Sequence, residues 1–494
     1  MKNNQVPERS TKLAGSNKMG GFRLVPVLLM IFSVAGASAQ ETVAEQMRGM
    51  QIPLIEITTL NGEEPTYDIV YEEGTSLRTI SNPVKVPARM TMTLQNEMLY
   101  DSGEYADDEL GITIRVRGNS SALVYEKKKP YKLHLQKKMD LFFRENKKYR
   151  DKDWVLLMNG GSPANLLGLY VNEQVGLQWT PRCRQVNVIL NGEYKGMYML
   201  IESVKQSDGR LNVDEQTGII AEYDRYYWAE PFWIPGILYP TMNFTFKFVG
   251  EALEGTEGSY GAESYLERVL REMQESMLDG TYAGKVDVAS FAKWILAKDI
   301  LGMTDPTGSN IFLTKHDDTD ESPFRMANLW DFDNVMRVED GAFATAHLAA
   351  QLFFRYMFTS APDLQLAYIR EWNRLKDNGF VDNIQTFLDS LAQDSALTDI
   401  NASIRKDPAE SWRGRWDTHV LKAKQWFANR LEWLDDTIHR MEILTDVSAL
   451  PKEEPRSATL YYNLQGIPRS EPYDGLNIII DHQGRRRKIF RKRP

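Results

Sequence analysis

Residues 111–121 read GITIRVRGNSS, and this stretch decides the first half of the fold. Ile112, Ile114 and Val116 alternate with polar residues, so they fall on one face of a β-strand. The strand runs into a loop of small residues, whose backbone N–H groups can face an anion such as phosphate. The stretch therefore predicts a buried strand that ends at a ligand-binding loop.

Similar alternation on both sides of this stretch predicts a β-rich region over residues 50–250. Further strand-like runs occupy residues 52–60, 90–94 and 131–135. A hairpin is predicted over residues 185–205, because Asn191-Gly192 between two such runs is a strong hairpin signal.

The pattern changes after the Gly- and Glu-rich residues 250–262, which predict a surface loop and a boundary. Residues 263–445 follow helical spacing, with Ser290 as the expected N-cap of one helix. Residues 458–494 return to strands and end in a cluster of arginines. We therefore expect an α+β fold with a β-rich half, a helical half and a small β tail.

Composition excludes several classes of function. The 494 residues carry a formal net charge of −9, so a general nucleic-acid binder is not expected. The single cysteine, Cys183, excludes an internal disulfide, a CxxC redox pair and a multi-cysteine zinc site. The six histidines form no HExxH motif, which excludes a zincin-type metalloprotease.

The N-terminus has the features of a secretory signal. Residues 1–23 are basic, and the apolar run after them ends in Ala37-Ser38-Ala39. This run is shorter than the roughly 20 residues that a membrane-spanning helix needs. We expect residues 1–39 to be cleaved as a signal peptide, with an uncleaved membrane anchor as the alternative. The mature chain is then expected outside the cytoplasm, without a transmembrane segment.

Acidic and amide residues follow an apolar helix and two strands in an order found in protein kinases. Asp305 and Asn310 are spaced as D-x-x-x-x-N, and Asp331 and Asp333 form a D-F-D after Trp330. In kinases the first aspartate receives the substrate proton, and the asparagine and second aspartate hold the metal. These residues have the hard oxygen atoms that Mg²⁺ prefers. Ordinary turn and strand-end residues are the alternative interpretation.

Basic residues in the β-rich half offer contacts for phosphate. Arg117 and Ser120 belong to the small-residue loop, and Lys129 and Lys132 lie at the start of the next strand. Glu202 on the hairpin is a candidate to hold such a lysine in place. A solvated basic turn is the alternative.

Five short blocks resemble the CotH family, the secreted kinases of the spore-coat type. In chain order they are Arg117–Ser121 with Lys128–Leu133, Asp153–Leu157, Asn191–Tyr198 with Glu202, and Trp330–Asp333. The resemblance covers roughly residues 50–445. It implies an atypical protein-kinase-like, two-lobed fold that uses ATP and a divalent metal, Mg²⁺ or Mn²⁺, on serine of secreted or surface proteins.

The resemblance also implies roles for individual residues. Asp305 matches the catalytic aspartate, Asp331 the metal aspartate and Lys129 the phosphate lysine, with Lys132 a weaker match for the same role. The motifs that carry nucleotide and metal binding further include Arg117, Ser120, Glu202, Asn310 and Asp333.

Two departures leave alternatives open. Residues 159–168 lack the aspartate and the Arg-Asn pair that family members usually have there, and the loop after Gly118 lacks their tryptophan. A non-catalytic surface or adhesion protein on the same fold is therefore one alternative, and another metal-dependent phosphoryl or nucleotidyl transferase is a second. The tail over 458–494 is similar to the secretion-sorting modules of Bacteroidetes.

Overall fold

The computed structural model describes most of the chain between residue 43 and residue 491. The described ranges are 43–82, 84–238, 242–253, 264–303, 309–336, 363–409, 414–445, 460–462, 468–469, 475–480 and 486–491. They form two compact units. The first unit contains the described residues up to Ser162 together with Cys183–Glu202 and Asp394–Trp416, and the second contains the rest.

The first unit is built around a closed barrel of seven strands. The described strands of the unit are β1 Leu54–Thr59, β2 Asp68–Tyr71, β3 Arg78–Ser81, β4 Val86–Leu94, β5 Glu97–Asp101, β6 Ile112–Val116, β7 Tyr131–Met139, β8 Asp151–Leu157, β9 Cys183–Leu190 and β10 Glu193–Glu202. Of these, β2 and β3 form a separate pair, and β5 pairs with β4 outside the barrel. The order around the barrel is β1-β9-β10-β8-β7-β6-β4, and β1 pairs with β4 to close it. The predicted strands are confirmed here, whereas a kinase-like lobe is not, because the sheet closes on itself.

The barrel interior is filled by alternate residues of each strand. Ile112, Ile114 and Val116 are fully buried, as their spacing predicted. The predicted hairpin joins β9 to β10, and both of its turn residues, Asn191 and Gly192, have positive φ. Two consecutive positive φ angles match the right-handed twist of the paired strands. Local turn chemistry therefore accounts for this part of the fold.

One ion pair is buried in the first unit. The ammonium of Lys128 binds the carboxylate of Asp407, which follows the helix Leu397–Lys406, and donates to the carbonyl of Met197 at 2.8 Å. Both side chains are almost completely buried. A Cβ on Gly196 would lie 2.5 Å from the Asp407 carboxylate, so glycine is required for this approach. Burial lowers the pKa of Lys128 to about 8, against the opposing effect of Asp407.

The second unit combines a four-stranded antiparallel sheet with helices. Its strands are β11 Ile219–Asp224, β12 Asn243–Val249, β13 Ile311–Lys315 and β14 Arg325–Met326, in the order β12-β11-β13-β14. Its helices are α1 Ala164–Val175, α2 Tyr265–Asp279, α3 Val288–Leu301, α4 Asp363–Asp377, α5 Phe380–Ala392 and α6 Trp416–Thr445. The predicted helical half is thus confirmed in the described residues. The predicted boundary at 250–262 lies largely outside them.

Helix α3 begins earlier than its sequence predicted. Asp287 is its N-cap, and the Asp287 carboxylate accepts the N–H of Ser290. The prediction that Ser290 caps this helix is therefore wrong, since aspartate and serine are similarly good caps and the helix begins at the first of them.

The tail forms a small antiparallel sheet of its own. Its strands are β15 Leu460–Tyr462, β16 Pro468–Arg469, β17 Gly475–Ile480 and β18 Arg486–Arg491. The strands agree with the predicted β tail, and its sorting role stays a prediction.

Among the helices of the described ranges, we find none with the length and hydrophobicity needed to cross a bilayer.

Candidate functional site

The structure brings together two of the residues that the kinase-like spacing paired. Asn310 immediately precedes β13, and its side-chain amide donates to the Asp331 carboxylate at 3.2 Å. Both residues belong to the second unit. Asp305, the predicted catalytic aspartate, lies outside the described residues.

Asn310 and Asp331 share an uncommon backbone conformation. Their φ angles are 75° and 63°, in the left-handed region that residues other than glycine seldom adopt. Asparagine and aspartate tolerate this region best, although it still costs free energy. Strained residues of this kind are concentrated at functional sites, so the pair is a candidate for one.

The remaining residues of the D-F-D motif divide into buried and exposed positions. Phe332 is buried, whereas Asp331 and Asp333 are exposed. The backbone N–H of Asp333 donates to the Asp331 carboxylate at 3.3 Å. The motif therefore anchors its aromatic ring in the unit and leaves both carboxylates at the surface.

Helix α1 fixes this motif in place through two residues four positions apart. The Asn172 side chain accepts the N–H of Leu329 at 2.8 Å and is fully buried. One turn earlier, Gly168 faces the Phe332 ring so closely that a Cβ would lie 2.1 Å from it. Residues at i and i+4 share one helix face. Although residues 159–168 lack the usual family residues, the helix that begins in this segment positions Asp331.

We expect Gly168→Ala to disturb the Asp331 site. The added Cβ would clash with the Phe332 ring, and overpacking of this kind costs about 1–3 kcal/mol. Displacement of Phe332 would move Asp331, so we expect the affinity for the metal to fall even at temperatures where the variant is fully folded. Calorimetry would measure the metal affinity, and thermal unfolding would show that the variant is folded at the temperature of the titration. Gly49→Ala is the control, because its Cβ meets nothing closer than 3.8 Å. Metal affinity equal in both variants would contradict the expectation.

Four polar residues beside Asn310 were not predicted from the sequence. Glu222 accepts the backbone N–H of Asn310 at 2.8 Å and also binds the Lys247 ammonium at 2.6 Å. Asp224, two residues along β11, accepts a hydrogen bond from Ser309. The available signal was the presence of two carboxylates in the apolar run Ile219–Asp224 and of a lysine in the apolar strand β12.

Burial and like charge determine the protonation of this cluster. Burial and the neighbouring Glu222 carboxylate raise the pKa of Asp224 to about 6. Burial would lower the pKa of Lys247, but the Glu222 carboxylate raises it above its ordinary value. Lys247 is therefore charged at neutral pH, beside the two carboxylates of the cluster, Glu222 and Asp224.

The predicted basic residues lie in the first unit, where most have protein partners. Lys129 donates to the Tyr67 hydroxyl at 3.0 Å and to the Ala122 carbonyl at 2.7 Å. Lys132 lies 3.4 Å from the Asp153 carboxylate. Both lysines keep an exposed part, and their phosphate contacts stay predictions.

Glu202 has a different partner from the one expected. Its carboxylate binds Arg144, which also pairs with Asp140. The expected ion pair of Glu202 with Lys129 is absent from the part of the chain that the structure describes. The Arg144 guanidinium instead lies between the buried carboxylates of Glu202 and Asp140, and the role of Glu202 in orienting a lysine stays a prediction.

Arg117 and Ser120 flank the glycine of the predicted loop. Gly118 has a φ of 90°, and a Cβ there would lie 2.5 Å from the Ser121 hydroxyl, so only glycine fits. The backbone N–H of Arg117 donates to the Pro130 carbonyl at 2.9 Å, and Ser120 is exposed at the start of the short helix Ser120–Val124. The loop is ordered by its own contacts, and its role in phosphate binding stays a prediction.

The oxygen atoms of Asn310, Asp331 and Asp333 fit a magnesium ion that is held partly by the protein and partly by the phosphates of a nucleotide. Within the described ranges, no group of three or more His, Cys, Asp or Glu side chains is placed to hold a metal ion. Mg²⁺ in phosphoryl-transfer sites, however, is usually held by one or two carboxylates together with substrate phosphates and water. Asp331 and Asp333 with the Asn310 amide provide ligands of this type.

Comparison with known proteins identifies the family of the chain. No curated protein matches the chain. Residues 114–434, well over half of the sequence, match the family described as CotH kinase protein. The matched range includes the small-residue loop with Arg117 and Ser120, the Asn310–Asp331 pair and helices α1 to α5. Because the match covers well over half of the sequence, the chain belongs to the CotH kinase family.

Proposed function

We propose that the protein is a secreted kinase that transfers the γ-phosphoryl group of ATP to serine of an exported protein, with Mg²⁺ or Mn²⁺. The observation that best supports this proposal is the hydrogen bond between Asn310 and Asp331, in a chain of the CotH kinase family. In protein kinases an asparagine and an aspartate in this order hold the metal ions.

The transfer needs little covalent help from the protein. The serine oxygen forms a bond to the γ-phosphorus, the bond from that phosphorus to the β–γ bridging oxygen breaks, and ADP leaves. The serine proton passes to a carboxylate, for which the resemblance implies Asp305. A divalent metal, when bound, neutralises the charge on the phosphate oxygens. Asp331, Asn310 and Asp333 are the residues proposed to hold it.

We also propose that the chain acts outside the cytoplasm. Residues 1–39 have the pattern of a cleavable signal, and the mature chain is expected to begin near Gln40. N-terminal sequencing of the protein from its native cells tests this proposal, and an intact Met1 would contradict it.

Nucleotide binding and transfer test the function together. Calorimetry of the mature chain with ATP and Mg²⁺ should detect binding, and labelled ATP should transfer phosphate to serine in a pool of secreted proteins. Absence of nucleotide binding at millimolar ATP would overturn the kinase proposal and favour a non-catalytic surface protein on the same fold.

A further inference from the structure

One ion pair beside the Asn310–Asp331 pair has no part in the function proposed so far. The Lys247 ammonium on β12 lies 2.6 Å from the Glu222 carboxylate on β11. Glu222 has only 6% of its side chain exposed, whereas Lys247 has 33% exposed. The carboxylate is thus enclosed in the unit, while part of the lysine is open to a ligand from solvent.

Strand register places this pair beside the residues proposed to hold the metal. Glu222 lies opposite Phe312 in the pairing of β11 with β13, and Asn310 is two residues before Phe312. The pairing continues to Tyr223 and Ile311, directly before which Asn310 lies. The backbone N–H of Asn310 is therefore close enough to donate to the Glu222 carboxylate at 2.8 Å.

The contacts continue without a break from the lysine to Asp331. Glu222 uses one carboxylate oxygen for Lys247 and the other for the N–H of Asn310. The Asn310 side chain then donates to Asp331. Movement of Glu222 would therefore affect both the lysine and the residues proposed to hold the metal.

We propose that Lys247 contacts the phosphate groups of the nucleotide and that Glu222 is the positioning residue that holds it. This inference rests on the proposed kinase function. Protein kinases use a lysine held by a glutamate together with the metal aspartate, because phosphate charge must be neutralised while the groups are aligned. Lys129, the lysine expected from the sequence, instead binds Tyr67 and Ala122.

Nucleotide affinity as a function of phosphate number tests this assignment. We expect Lys247→Met to weaken ATP binding roughly 10- to 100-fold, the range for a hydrogen bond to a charged group. Adenosine, which has no phosphate, should bind the variant and the wild type equally. Lys247→Arg keeps the charge and should recover part of the ATP affinity, whereas a purely structural role would not depend on phosphate number.

Lys285→Met is the matched control, since Lys285 also pairs with a glutamate of the second unit, Glu272, at 2.7 Å. ATP affinity in this control should equal that of the wild type. If wild-type protein binds ATP and Lys247→Met binds it equally well, the assignment of Lys247 is overturned while the kinase proposal stands. If wild-type protein binds no ATP, the kinase proposal is overturned, and this inference with it. Should Lys247→Met fail to fold, Lys247→Arg and Glu222→Gln give the same comparison, and unchanged ATP affinity in both would overturn the assignment.

Discussion

Phosphoryl transfer is expected to fall at least about 100-fold in Asp331→Asn, with the fold intact. Loss of a residue that merely supports a metal ligand already costs about 10- to 100-fold, and a ligand itself should cost more. Asparagine has the shape of aspartate, but it keeps only one of the two oxygens that accept from the Asn310 amide and from the N–H of Asp333. The change therefore removes the charge together with one of these two hydrogen bonds.

The measurement is the initial rate of labelled phosphate transfer at saturating ATP, across a range of Mg²⁺ concentrations. Asp318→Asn is the control, because Asp318 is an exposed aspartate of the same unit in the loop after β13. Asn310→Ala should raise the Mg²⁺ concentration needed for half-maximal rate. Wild-type rates in folded Asp331→Asn would show that Asp331 holds no catalytic metal.

The second large effect is expected on stability, at the buried ion pair of the first unit. Lys128→Met should lower the free energy of unfolding by about 3–5 kcal/mol, because it leaves the Asp407 carboxylate buried without its cation. Asp407 also accepts the backbone N–H groups of Met197 and Ala409, so it cannot turn toward water without breaking them. Denaturant unfolding measures the loss.

Two further variants separate charge burial from a general intolerance of mutation. Lys127→Met changes the neighbouring exposed lysine and should alter stability by less than about 0.5 kcal/mol. Lys128→Met with Asp407→Asn removes both charges, keeps an acceptor for the backbone and should recover part of the loss. If Lys128→Met yields no folded protein, recovery by the double variant is the decisive observation. Equal stability of Lys127→Met and Lys128→Met would contradict the expectation.

Local chemistry in the sequence was sufficient to predict the strands and the hairpin. The Asn191-Gly192 turn and the alternation through Ile112 to Val116 depend only on neighbouring residues. Closure of the barrel does not, because β1 must pair with β4 on one side and in parallel with the distant β9 on the other. Pairings between segments far apart in the chain have no local signature, so the closed barrel could not be predicted.

In the candidate site, too, some features could be predicted from the local sequence and others depend on contacts between distant segments. The spacing of Asn310 and Asp331 relative to the helix and strands predicted that they would meet, and they do. The sequence did not indicate that Lys128 is buried, because Lys128 and Lys129 occupy the same basic turn and only tertiary contacts distinguish them. Glu222 and Lys247 were missed because their significance depends on the register of β11, β12 and β13.

The buried pair of Lys128 and Asp407 also has a consequence for the order in which the chain folds. These two residues are 279 positions apart, so a growing chain contains the lysine long before it contains the aspartate. Until Asp407 is synthesised, closing the first unit would enclose an uncompensated ammonium, which is costly. The first unit therefore depends for its final stability on a segment that is synthesised after helices α1 to α5 of the second unit. A fragment that stops before Asp394 lacks the aspartate, so the protein completes its first unit only after Asp407 has been made.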